Sequence, residues 1–358
     1  MDLKERIKDT LYTLDNAYGV SGDEENIGEL LKDEIKGCFD ELKVDALGNY
    51  IFIKNGNEDS MKIMISAHMD EIGFIVRYIE DDGIVRIHPV GYHDDRMVIN
   101  QDMVIFTESG YINGITGSRP PHIITEEERS KVISIYDIGI DVGTFSKEET
   151  EKLGVRIGDY AAYKREGFFL NGDKVYTGKA VDNRAGCTVM AEVVRRLTNE
   201  NLKSNIYAVG SVQEEVGIRG AGTAAHNIKP DIAIVIDVTI AGGALGVELS
   251  EVPIKIGHGV ALKLYDWDPS NMVGNAMPKK IARSLIKIAE DNNIAYQREV
   301  VMNCGTDAWS ISLSGDGVTT IGLSIPERYI HTAVGTVHMD DLESAVRLIV
   351  EYIKSIDK

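Results

Sequence analysis

The chain is short of cysteine. Cys38, Cys187 and Cys304 are odd in number and widely spaced, which excludes a disulfide framework and gives no thiolate zinc pattern. It also lacks any apolar run approaching the roughly 18–20 residues of a membrane span. No basic stretch followed by an apolar one opens it; "MDLKERIKDTLYTL" has instead the spacing of an amphipathic helix. A cytoplasmic protein with no membrane partner is expected. Basic residues are outnumbered as well: 38 Lys and Arg against 57 Asp and Glu leave a formal charge of −19. Nucleic acid is therefore not an expected partner, because phosphate binding wants a basic face. The excess acid says little about substrate, since most of it belongs to solvated surface. Repeats and low-complexity tracts are absent too.

What is present is ordinary globular material. The 358 residues suffice for one large domain or two of usual size, and apolar content of 43% and charged content of 27% allow a sizeable core. Helical periodicity covers the first 36 or so residues, with Ser21 and Glu24 spaced as a capping box for a second helix that stops at Gly37. A hairpin turning at Gly48-Asn49 follows, then the apolar strand "MKIMISAHMD". From 73 to 166 the texture changes to short alternating segments with frequent turn signals, which predicts a small β-rich unit. After Gly178, strands and helices alternate to the closing helix "MDDLESAVRLIVEYIKS". That alternation predicts an α/β fold, a mostly parallel central sheet flanked by helices. Residues 1–72 and 167–358 form one domain in this reading, and 73–166 an insertion into it.

Four strand or loop ends place acids and histidine where α/β sheets build their sites: "SAHMDEIG" with His68 and Asp70, "GKAVDNRAG" with Asp182, "QEEVG" with Glu214 and Glu215, and "VIDVT" with Asp237. His331 follows the last strand in "ERYIHTAVG". Each has a bland alternative. His68 could be a hydrogen-bonded strand-end histidine, Asp182 a helix N-cap, and Asp237 a carboxylate held by backbone amides. Residues two apart on a strand share a face, so Asp70 can fix the tautomer of His68. Adjacent residues do not share a face, so Glu214 and Glu215 meet in one site only if the strand has ended, as Gly217 allows. Taken together, four carboxylates crowded into one cleft would repel. Two divalent cations, with four positive charges, match Asp182, Glu214, Glu215 and Asp237.

The segments "SAHMDEIGF", "GKAVDNRAGC", "QEEVGIRGA", "IDVT", "CGTDA" and "IPERYIHTAV", in this order, resemble the tetrahedral aminopeptidase family. This is the cytosolic group of glutamyl-, leucyl- and lysyl-type metallo-aminopeptidases, related to the zinc exopeptidases with cocatalytic metals. The resemblance spans essentially the whole chain. It implies a zinc exopeptidase-like fold whose insert is a small β-barrel-like dimerisation domain, and an enzyme that removes N-terminal residues from short peptides. It further implies that Asp182 bridges two metals, that His68 and Asp237 complete one site, and that Glu215 and His331 complete the other. Glu214 becomes the general base and Asp70 the support of His68. The oxygen and nitrogen donors point first to zinc, and cobalt or manganese would also suit them. Family members assemble dimers into tetrahedral dodecamers, so a homo-oligomer is implied. Cys304, Thr306 and Asp307 in "NCGTDA" would line the substrate pocket, or else form a glycine turn capping the helix that begins near Asp307.

Two departures flank the implied centre: "IAGGALG" follows "IDVT" where a more polar loop is expected, and Gly335 stands where many relatives have glutamate. Both bear on side-chain preference rather than on hydrolysis. His88, His93, His226, His258 and His338 have no companion ligands, and His122 reads as a surface residue. Two other activities fit less of the pattern. An N-acyl amino acid deacylase would share the metals, whereas a metal-independent glycoside hydrolase would need only a carboxyl pair and would leave the histidines idle.

Overall fold

Four apolar runs build the centre of the molecule. In the computed structural model, which describes residues 2–357, strands Asn205–Ser211, Lys62–His68, Ile232–Ile240 and Thr319–Arg328 lie side by side in that order and pair parallel. Nearly all their residues are buried, as strands covered on both faces must be. Register sets Ser211 beside His68 and Asp237 beside Ser324, while the pairing of Val235 with Ser66 brings Asp237 level with His68. The acids and the histidine thus reach the carboxyl ends of the parallel strands together.

The flanks differ from the centre. Tyr50–Lys54 and Glu41–Val44 extend one side antiparallel, and Gly335–His338, Val175–Gly178 and Phe168–Leu170 extend the other. Val260–Asp268 joins antiparallel to Thr319–Arg328 and parallel to Tyr296–Met302. Among the described residues the sheet is 12-stranded and mixed, so the expected parallel arrangement holds for its core.

Its two faces are covered differently. Ile63, Ile65, Ile234 and Ile236 point to one side and pack into the cluster formed with helices Leu3–Asn16, Val181–Leu197 and Met339–Ile356. The residues between them point the other way. There Met64, Val209, Ala233 and Val235 meet Ala221, Ala224 and Ala225 of helix Gly220–Ile228 and Ala308 and Ile311 of helix Ala308–Ser312. Those helices have 9 and 5 residues against 14, 17 and 18 on the first face. His68 and Asp237, two residues beyond Ser66 and Val235 on their strands, belong to the side with the short helices.

Directly after Lys62–His68 the chain leaves the sheet and forms a closed antiparallel barrel. Its order is Gly73–Ile79, Val85–Val90, Gly139–Asp141, Gly110–Thr116, Asp102–Thr107 and Tyr160–Tyr163. It has a core of its own, including Phe74, Val76, Ile87, Met103, Ile105 and Ile140. A side chain at Gly73, where the barrel begins, would meet Val20 at 2.5 Å and the Ala161 carbonyl at 2.7 Å, so the junction closes only on glycine.

Three local expectations need correction. Ser21 and Glu24 do not cap the helix Glu25–Glu34, which has no side-chain cap; Ser21 donates to Asp70 at 2.6 Å and Glu24 accepts from Gly22 and Gln213. The tertiary acceptor outcompetes the local one. The strand Val260–Asp268 was not foreseen, because Lys263 and Asp266 break its apolar run although both are buried. The periodicity of residues 276–292 predicts one long helix, but the helix begins at Lys279, since Val273–Ala276 pairs as a short strand with Tyr265–Asp268.

Candidate metal centre

His68 ends its strand with its ring almost fully buried. Nδ1 donates to the Asp70 carbonyl at 3.1 Å and lies 3.5 Å from the Asp70 carboxylate. Nε2 is thereby aimed outward, 3.2 Å from Oδ1 of Asp182 and 3.4 Å from Oδ1 of Asp237. The Asp70 carboxylate is engaged elsewhere: it accepts from the Ser21 hydroxyl and from the backbone N–H groups of Glu214 (3.1 Å) and Glu215 (3.0 Å).

Asp182 stands at the head of helix Val181–Leu197, where its own φ/ψ and those of Asn183 are not helical and their shared peptide bond is cis. Asn183, not Asp182, does the capping: its Oδ1 accepts from Gly186 at 3.0 Å and its Nδ2 donates to the Ile236 carbonyl at 2.8 Å. The Asp182 carboxylate is left for the cleft. Oδ1 is buried with no hydrogen-bond partner, an arrangement that costs free energy unless a cation meets it. Oδ2 lies 3.3 Å from Nε2 of His331.

His331 sits in a loop with φ +58°, and its Nδ1 donates to the Tyr92 carbonyl at 2.8 Å. A backbone atom of the barrel segment therefore sets this ring, leaving Nε2 to face Asp182 and, at 3.7 Å, Glu215. Among the described residues three groups of possible donor atoms result, each within 4.8 Å of one another: His68, Asp182 and Asp237; Asp182, Glu215 and His331; His68, Glu214 and Glu215. Asp182 belongs to two of them.

The electrostatics are those of an acid-rich cluster. Burial, then the charges of Asp237 and Glu215, hold the Glu214 carboxyl well above the ordinary range, and burial pushes Glu215 up to about 7. Burial would also raise Asp182, but the close approach of His331 and His68 and the charge on their rings pull it below its usual value. Burial opposes protonation of both histidines, yet the surrounding carboxylates raise both well above the ordinary imidazole value. Protons drawn to these rings would offset part of the repulsion among the carboxylates. Divalent cations would take their place, and protons are released when metals bind such ligands. The orphaned Asp182 oxygen and the all-oxygen-and-nitrogen donor set both fit that substitution. Cys187 stands outside it, for its thiol donates to the His68 carbonyl and burial pushes it up to about 11.

The remaining residues singled out from the sequence lie to one side. Asp307 is buried, accepts from Ser211 at 2.6 Å and is pushed by burial to about 7. Thr306 accepts from the Ala308 N–H at the start of the short helix, and Cys304 lies 3.7 Å from the buried Lys263 ammonium. Two functional neighbours escaped sequence reasoning. Lys179 is buried and donates to both oxygens of Glu71 (2.7 and 2.8 Å) and to the Ala17 carbonyl (2.8 Å), tying the loop after His68 to the segment before Asp182. Glu327 is buried beside Asp182, and its carboxyl fills the space a side chain at Gly335 would need, 2.2 Å from such an added atom. Its signal was available: an acid four residues before His331.

The sequence profile of the M42 glutamyl aminopeptidases matches residues 48–348. The chain is 33% identical over 345 residues to the lysyl aminopeptidase of Pyrococcus furiosus, covering 95% of each. Among solved structures, an aminopeptidase from the archaeon Desulfurococcus kamchatkensis superposes with a TM-score of 0.93 at 38% identity, covering 99% of this chain and 96% of that one. The Pyrococcus horikoshii TET1 peptidase, which can assemble into a tetrahedron or a large octahedral shell, superposes with a TM-score of 0.85 at 35% identity, covering 97% and 98%.

Proposed function

The chain belongs to the M42 glutamyl aminopeptidase family, and on that premise we propose that it removes N-terminal residues from short peptides at a two-metal centre. Asp182 would bridge the metals, His68 and Asp237 would complete one site, and Glu215 and His331 the other. The observation behind this is the double presentation of Asp182, one oxygen 3.2 Å from His68 and the other 3.3 Å from His331. Zinc suits these donors, as do cobalt and manganese. Bound there, two divalent cations would supply Lewis acidity toward the scissile carbonyl, acidify the attacking water and offer a seat for the free α-amino group.

The protein's own groups do the rest. Glu214 takes the proton of the attacking water on its carboxylate and delivers it to the leaving amine. Acting first as base and then as acid, one carboxyl serves both halves of that exchange, and such general acid–base work contributes about 10²–10⁴-fold. His68 and His331 are each fixed through Nδ1 by a backbone carbonyl, so only Nε2 is available to a ligand. Glu214→Gln tests the base: turnover should fall within that range while two ions per subunit remain. Near-normal turnover with both metals bound would remove Glu214 from the role. A screen of aminoacyl anilides against N-acyl amino acids, with and without chelator, separates the aminopeptidase from a deacylase and from a metal-independent glycosidase.

The barrel, on this reading, pairs two copies in a larger homo-oligomer, a tetrahedral dodecamer that encloses the active sites in the cytoplasm. Its outer surface exposes Tyr111, Ile123, Phe145 and Ile157, apolar side chains that a second copy would cover. A monomer by light scattering at working concentration would end this part of the proposal.

A further inference from the structure

The strand Asn205–Ser211 ends one residue before a run of four backbone N–H groups, each received by a side chain from a distant part of the chain. Val212 donates to Oδ1 of Asn49 at 3.0 Å, Gln213 to Oε1 of Glu24 at 3.0 Å, Glu214 to Oδ1 of Asp70 at 3.1 Å and Glu215 to Oδ2 of Asp70 at 3.0 Å. The carbonyls of the same segment are taken from the other direction: Val212 accepts from Gly220, Gln213 from Arg219, and Glu214 from Gly217 and Ile218. Gly220 has no room for a side chain, since an added atom would lie 2.4 Å from both Asn49 and the Val212 carbonyl. Asn49, Glu24 and Asp70 are all buried. Gln213, in the middle, is held at φ +58°, a conformation disfavoured for residues with side chains.

This construction bears on an otherwise awkward pair. An extended strand would send Glu214 and Glu215 to opposite faces, yet both reach within 4.8 Å of the His68 ring. We propose that Glu24 is a positioning residue for the general base: with Asn49 and Asp70 it holds the turned amides of Val212–Glu215 so that two consecutive glutamates serve one centre. Glu24 makes the contact at Gln213, the residue where the turn occurs, and its Oε1 is itself fixed by the Gly22 N–H at 2.8 Å. It touches no reacting atom. Its influence passes through the backbone of Gln213 to Glu214, and the inference therefore rests on Glu214 being the base.

The test uses the full-length, metal-loaded enzyme. Glu24→Met keeps the side-chain volume and deletes the acceptor, whereas Glu24→Gln keeps an acceptor oxygen. Glu24→Met should lower kcat about 30–100-fold, the effect of displacing a reacting group by about an ångström, with KM little changed and two ions still bound. Glu24→Gln should restore kcat to within about threefold of wild type, since its amide oxygen can receive the same N–H groups. In a Glu214→Gln background, Glu24→Met should cause no further loss, because groups that act as one unit are not additive. Wild-type kcat in Glu24→Met alongside a crippled Glu214→Gln overturns the positioning role alone; a fully active Glu214→Gln overturns the base assignment and this inference with it. Multiplicative losses in the double variant would likewise overturn the route through Glu214. Should Glu24→Met not fold, Glu24→Gln decides: a tenfold or greater loss of kcat there, with circular dichroism unchanged, overturns the proposal.

Discussion

On one face of the central sheet Ile234 and Ile236 meet three long helices; on the other, their neighbours Ala233 and Val235 meet two short ones built on alanine. The same strand contributes to both. The long-helix face is closed by large aliphatic side chains, and only the head of helix Val181–Leu197, with Asp182, reaches the cleft. The short-helix face stops short of the strand ends, and there the chain places carboxylates whose charges oppose one another in the absence of cations. One face of the sheet can tolerate this repulsion because the other supplies apolar burial, roughly 25 cal/mol for every Å² removed from water. Proteins commonly concentrate strain and unpaired polarity at functional sites in this way.

The widest separation between the faces should appear with Asp182→Asn. The substitution keeps the shape of the side chain and removes the charge shared by both proposed metal sites. Turnover should fall about 10³-fold or more, as when a member of a cooperating set is deleted, and bound metal should drop below two ions per subunit. Far-UV circular dichroism should not change, since the apolar face is untouched. Two tightly bound ions and full activity in this variant would mean that Asp182 does not hold the centre together.

Ile234→Ala is the converse experiment. Ile234 is fully buried on the long-helix face, and deleting it should cost about 2–5 kcal/mol of stability. Because it faces away from the ligands, kcat below the unfolding transition should stay within about twofold of wild type, as expected for sites that share no partners. A large fall in kcat without a fall in the denaturation midpoint would show that the two faces are coupled.

His93 tests whether polarity near the site must be unstable. Its ring stacks on Phe74 at 4.6 Å, its Nε2 donates to the Gly73 and Val90 carbonyls at 2.9 and 3.2 Å, and its Nδ1 accepts from Tyr163 at 3.3 Å. Burial lowers it from 6.5 in the unfolded chain to about 4 in the folded protein. As pH falls, the unfolded chain therefore takes up the proton first. The contribution is complete above pH 6.5 and is lost between 6.5 and 4, to a total of up to about 3 kcal/mol. Urea midpoints measured from pH 7 to 4 should fall more steeply for wild type than for His93→Gln. Parallel curves would show that this imidazole is not held neutral by the fold.

Much of this division could be read in advance, and its failures have physical causes. Unbroken apolar runs marked the central strands, and an acid or histidine at the end of each marked the cleft, because burial on both faces leaves strand ends as the place for charge. The spacing of Ser21 and Glu24 misled for the opposite reason: it satisfies a local rule, while both side chains are drawn to partners, Asp70 and Gln213, that only the folded chain brings near. Lys263 hid its strand because a buried lysine is expected only with a partner, and that partner, Glu299 at 3.9 Å, lies on another strand. Asn183 was overshadowed by Asp182, since either side chain suits an N-cap; the backbone conformation decides between them.

The smallest effect belongs to the residue that touches both faces. Cys187 lies on helix Val181–Leu197, within the apolar cluster, yet its thiol donates to the carbonyl of His68 at 3.1 Å. A thiolate there would add negative charge beside an acid-rich centre; a thiol is only a small apolar side chain with a weak donor. Burial pushes it up to about 11, the direction that keeps the proton on sulfur. Cys187→Ala should then reduce stability by about 1 kcal/mol, the usual loss for one modest hydrogen bond, and leave metal content and turnover as they were. A variant that loses an ion, or whose kcat falls along with its metal affinity, would place sulfur among the donors and erase the boundary between the packed face and the chemical one.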